Sequence, residues 1–171
     1  MTNHEDSYPI SMRLDQFLDN LETIDGMEDP SKSIMRCYLG EDPTIRLYHG
    51  EKLVATTDRE EATYNPEIVY FHDVGYWMIR AIKEQGQPLS VHEAERLGRW
   101  RFSSAFPYIE TAIKRLAGIG VAERKGQYTV KGQYGSVRCD RFDLSDLTQF
   151  FVSYRPPANQ DNESFSEIIG L

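Results

Sequence analysis

The sequence predicts an α+β protein: three short amphipathic helices lead into a β-hairpin, with an α+β extension before them and a short helix after. Three observations predict it. Apolar positions with helical period, bounded by capping residues and glycines, recur between Asp73 and Gly118. Two glycine-centred pairs of short β-prone runs lie at Thr44–Thr57 and at Val121–Val130. A chain of 171 residues with 40 % hydrophobic and 12 % aromatic content is large enough to bury a core.

In chain order, residues 1–9 are polar and expected to be disordered. A helix is expected over 11–23, capped by Ser11. Its apolar stripe, Leu14, Phe17, Leu18 and Leu21, needs burial on the rest of the chain or on a second copy. Residues 22–33 form an acidic loop, and the apolar segment Ile34–Leu39 is ambiguous, with helix preferred. Thr44–Thr57 reads as a hairpin turning at His49-Gly50-Glu51-Lys52. Asp58–Pro66 is a polar connector, and Ile68–Phe71 is an apolar run that can be a strand. Residues 1–66 thus form an α+β extension, either a packing or dimerisation arm or a separate partner-binding surface.

The first helix of the trio is expected to be capped by Asp73, with Val74, Trp77, Met78, Ala81 and Ile82 facing inward and Gly86 closing it. The second starts at Ser90, whose partner Glu93 completes a capping box; Val91, Ala94 and Leu97 form its stripe and Gly98 ends it. Ser104 is the expected cap of the third helix, with Pro107 in its first turn and Phe106, Ile109, Ile113 and Leu116 on its core side. Gly118 and Gly120 turn the chain into strands Val121–Arg124 and Gln127–Val130, with Lys125-Gly126 as the hairpin tip. Val137–Phe142 can add a strand. Residues 143–155 are expected to be a helix carrying Leu147, Phe150, Phe151 and Tyr154 on one side, either a dimer seam or a face packed back on its own domain. Residues 156–171 read as a flexible tail whose apolar end, Ile168-Ile169-Gly170-Leu171, either docks on a partner or packs on the body.

Three capped helices, the passage RLAGIGVAERKGQYTV and the arginine-rich turn Gly98-Arg99-Trp100-Arg101-Phe102 together resemble the winged helix-turn-helix superfamily of transcriptional regulators. The resemblance covers about a third of the chain. It implies a winged domain over 67–142 that lays its last helix in a groove of double-stranded DNA. On that reading Ser103, Ser104, Tyr108, Thr111 and Arg115 face base edges, and Arg99 and Arg101 meet phosphates or guanine edges. Lys114 reaches backbone phosphate, and Arg124 and Lys125 sit at the tip of the wing. Trp100 between the two arginines has a competing reading as a core plug, and Phe102 belongs to the core. The same module also serves purely for protein docking, so a role inside a larger chromosome-maintenance, defence or phage-encoded complex is the alternative.

Charge distribution bears on that choice. The formal net charge is −8, yet residues 76–141 hold 12 Lys/Arg against 6 Asp/Glu, a net of +6, leaving 7 basic and 21 acidic residues, −14, elsewhere. Such segregation is a footprint of polyanion binding. Catalysis is not expected: the four histidines are scattered, and no GxSxG, HExxH, CxxC or phosphate loop occurs. No metal or cofactor is expected either. Cys37 and Cys139 are expected to be thiols, and with neither a signal-peptide pattern nor a membrane-length apolar run the expected location is the cytoplasm. The expected partners are double-stranded DNA and a second copy of the chain, with a further protein partner possible through the extension or the tail.

Overall fold

A computed structural model describes residues 10–20, 30, 44–97 and 100–154. Its elements are β1 (Ile10–Arg13), α1 (Leu14–Asn20), β2 (Ile45–His49), β3 (Lys52–Thr56), α2 (Arg59–Tyr64) and β4 (Val69–Tyr70). Then follow α3 (Gly75–Gln85), α4 (Val91–Leu97), α5 (Phe106–Gly118), β5 (Ala122–Gly132), β6 (Gly135–Leu144) and β7 (Phe150–Tyr154). The class is α+β. The expected helix at 34–39, the Gly98 cap, Arg99, Cys37 and the tail lie outside the described residues.

β1, β7, β2, β3 and β4 form one sheet in that order, antiparallel except for the β3–β4 pair. This corrects two expectations. The chain at 10–13 is a strand, so Ser11 pairs with Ser153 and caps nothing; the helix begins only at Leu14. The helix expected over 143–155 is instead a single 3-10 turn, Leu147–Gln149, followed by β7. β7 lies between β1 and β2 and bonds to both. Phe150, Val152 and Tyr154 are buried and Phe151 and Ser153 are not, a period of two rather than 3.6. The aromatic and β-branched content of FFVSY suits a pleated strand. Both apolar faces that suggested a dimer seam are occupied within the chain: Leu14, Phe17 and Leu18 belong to the same core as Val152 and Tyr154.

The hairpin at 44–57 is present as β2–β3. The connector after it is not irregular: Asp58 Oδ1 accepts the Glu60 and Glu61 amides and starts α2. Arg46 on β2 forks onto the Glu61 carboxylate at 2.7–3.0 Å and fixes α2 against the sheet. That pairing, ahead of the opposing effect of burial, holds the Glu61 carboxyl below its ordinary range.

α3 is the central helix, and Gly75 to Ile82 are all buried. Its N-cap is Val74 with no side-chain capping bond, in place of the expected Asp73, while Gly86 closes the helix in the left-handed region. Buried Arg80 donates to the Leu18 carbonyl, and Lys83 donates to the Asp15 carbonyl and the Asp19 carboxylate. Arg80 thus supplies a cation to the C-terminal end of α1, where helix carbonyls lack partners, while Lys83 reaches along α1 from Asp15 in its first turn to Asp19 in its last. A Cβ on Gly75 would come within 2.6 Å of the Ala112 Cβ, so α3 and α5 cross more closely than a side chain at position 75 permits.

Between α3 and α4, Leu89 forms an isolated antiparallel bridge with Phe142, both amide bonds measuring 2.8–3.0 Å. α4 starts with the expected Ser90–Glu93 capping box. α5 does not start at Ser104: Ser103–Ala105 form a 3-10 turn and Ala105 is the N-cap, with no side-chain bond. The β5–β6 hairpin is longer than expected. β5 runs through Lys125-Gly126 with a bulge between Arg124 and Gln127, and the turn lies at Gly132–Gly135. Gly126 carries φ 85°, a conformation that suits a bulge as well as a turn.

Candidate nucleic-acid interface

The basic region centres on the exposed side of α5, with the turn before it and the hairpin after. Trp100 and Phe102 are buried while Arg101 between them is exposed. Trp100 packs on Trp77 of α3, ring centroids 6.0 Å apart, and is the core plug of the turn. Two anchored aromatic rings therefore hold Arg101 outward. Ser104 is exposed in the 3-10 turn. Ser103 lies in the same turn, and its side chain is outside the described set.

On α5, Ile109, Ala112, Ile113 and Leu116 face the core, leaving Tyr108, Thr111, Lys114 and Arg115 exposed. These four do not form one surface. Tyr108, Thr111 and Arg115 line a cleft of about 640 Å³ shared with α2 and β4. Arg115 Nη1 donates to the Tyr70 carbonyl at 3.0 Å, and its guanidinium lies 5.4 Å from the Tyr70 ring centroid. Tyr108 packs against His72 at 5.4 Å. His72 Nδ1 lies 3.2 Å from both the Val74 amide nitrogen and Asp73 Oδ1. Lys114 turns the other way, bonded to Glu110, and lines a smaller cavity with His92 and Arg138.

On the hairpin, Arg124 pairs with Asp140 at 3.4 Å and Lys125 with Glu123 at 3.6 Å. Neither is at the tip, which corrects the expectation for both. The outer half of the hairpin carries Lys131 and Arg138, both exposed, with Tyr134 96 % exposed at the turn. Thr129 opposes Arg138, and Lys131 lies two residues beyond Thr129, so Lys131 and Arg138 share one face of the ribbon.

Pairing changes the meaning of the charge count. Of the twelve basic residues between 76 and 141, eight are engaged inside the chain: Arg80, Lys83, Arg115, Lys114, Arg124 and Lys125 as described, Arg96 on the Tyr128 hydroxyl, and Arg141 on Glu93. Arg99 is outside the described residues. Arg101, Lys131 and Arg138 remain as exposed cations with no carboxylate partner among the described residues. Sequence reasoning missed Lys131 and Arg138 because it placed the two-residue turn at 125–126, eight residues before its position at 133–134. It also missed Arg59, Tyr70 and His72, which α2 and β4 bring to the α5 cleft. The spacing of Asp58 and Glu61, the cap pattern that revealed α4, was the available signal for α2.

Among the described residues no group of three or more His, Cys, Asp or Glu is placed to hold a metal ion, and no helix is long and apolar enough to cross a membrane. Cys139 is a free thiol, pushed up by burial. In comparisons with known proteins, no family model, no curated protein and no solved structure matches this chain.

Proposed function

We propose that this chain is a double-stranded DNA-binding transcriptional regulator, and that α3, the Leu89 bridge, α4, α5 and the β5–β6 hairpin are its winged helix-turn-helix. The observation that carries the reading is the placement of Arg101, Lys131 and Arg138. They are exposed and form no ion pair among the described residues, one on the turn before the last helix and two on one face of the hairpin beyond it. Cations at those two places are what such a module needs to hold phosphates on either side of a groove. Lys114 joins them at little cost, because an exposed i,i+4 pair such as Lys114–Glu110 contributes only about 0.3–0.5 kcal/mol and opens readily. Arg124 and Lys125 carry exposed pairs of the same kind, so they rank with Lys114, behind the three cations that have no such pair among the described residues.

A second reading has its own observation. Eight engaged cations leave a far smaller basic surface than a net of +6 suggests, which favours a protein-docking module. Fluorescence anisotropy of the protein on its own upstream duplex and on a scrambled duplex separates the two. Tight, salt-sensitive binding that prefers the upstream duplex supports the regulator. Absence of binding at low salt contradicts it and leaves the docking module.

A further inference from the structure

We propose that the cleft between α2, β4 and α5 binds a small anion attached to a planar ring, a ligand with the size and chemistry of a mononucleotide. The inference does not rest on DNA binding.

Charge is the first argument. Arg59 and Arg115 both line the cleft, and among the described residues no Asp or Glu does. Their guanidinium carbons lie 4.8 Å and 5.4 Å from the centroid of the same Tyr70 ring. The two arginines bring positive charge to one cleft, and an anion bound there would offset it. Glu61, on the same helix as Arg59, is engaged by Arg46 and offers no neutralisation. Arg115 is held in place by the Tyr70 carbonyl through one N–H, which leaves donors for a ligand. The α5 cation is therefore already positioned before any ligand arrives, which lowers the ordering cost of binding.

Shape and lining are the second argument. A volume of about 640 Å³ lies within the range of small-molecule sites. Ala62, Ile68 and Val69 give the cleft apolar lining, and the Tyr108 ring is 56 % accessible although it borders the same cleft. A flat ring can stack on Tyr108 while its anionic group reaches the arginines. His72 adds a polar imidazole ring to the same lining. Charge alone would suit inorganic phosphate; the aromatic and apolar remainder of the lining adds the ring.

The test is a ¹H–¹⁵N NMR titration of the full chain with AMP, with adenosine and inorganic phosphate as separate arms. AMP is expected to shift the amides of residues 59–63, 68–72 and 108–115 saturably. Adenosine and phosphate are each expected to bind about tenfold more weakly or worse, the loss that follows from removing one charge-assisted contact set. Arg59→Ala, at an exposed position, should weaken AMP by about tenfold while leaving the folded spectrum intact. Thr111→Trp, which fills the cleft from α5, should abolish the shifts. The proposal is overturned by three results: no saturable AMP shift in these segments, adenosine binding as well as AMP, or AMP shifts insensitive to both variants. None of these outcomes depends on whether the protein binds DNA.

Discussion

Glu93 receives the Ser90 amide and hydroxyl on Oε1, while Arg141 of β6 donates to both carboxylate oxygens at 2.7 Å and 3.1 Å. One side chain thereby starts α4 and ties it to the hairpin. Burial pushes this carboxyl up, but the Arg141 and Ser90 bonds outweigh it and hold it below its ordinary value. A carboxyl lowered in the folded state contributes stability above its unfolded pKa and loses it as pH falls through the folded one. Glu93→Gln is therefore expected to destabilise the protein by about 1–2 kcal/mol at neutral pH. The gap between wild type and variant should close as pH drops below the usual carboxylate range. Urea titrations of both proteins at a series of pH values check this; a gap independent of pH would mean the carboxylate charge plays no part. The capping half of this role was legible in the Ser90–Glu93 spacing. The Arg141 half was not, because it joins residues 48 positions apart and depends on hairpin register.

α5 was legible because it buries one face with a local period that a few neighbouring residues reveal, whereas α3 is buried on all sides from Gly75 to Ile82 and Leu97, expected in the α4 stripe, is exposed. β7 was misread for a physical reason as well. Leu147, Phe150, Phe151 and Tyr154 fit a helical stripe as well as FFVSY fits alternation, and only its two partner strands, more than a hundred residues earlier, decide between them. The hairpin tip was misplaced because Gly126 satisfies a bulge and a turn alike. Gly75 marks a packing constraint that no local pattern reports: its missing Cβ lets α3 meet α5 at Ala112. Gly75→Ala is expected to push these helices apart and to cost about 1–3 kcal/mol, the usual range for overpacking a tight core. Thermal denaturation reads this directly. An unchanged melting temperature would show that the crossing is not tight.

Across the whole molecule, a single buried cluster joins the five-stranded sheet to the three helices and to the base of the hairpin. The hairpin's outer half projects beyond it, from Gln127 to Arg138, without a carboxylate. Net charge by region was readable from the sequence, but which cations are free was not. Lys83, Arg96, Arg115 and Arg141 all take partners set by tertiary structure. The functional reading thus narrows to Arg101, Lys131 and Arg138, and these decide it. The most direct measurement is the salt dependence of duplex affinity, by anisotropy, for the wild type and for the triple variant Arg101→Gln, Lys131→Gln, Arg138→Gln. If each residue holds one phosphate, the slope of log affinity against log salt should flatten by about 2.7, at ~0.9 per contact. An unchanged slope, or a wild type that binds no duplex even at low salt, would contradict the proposed DNA contact.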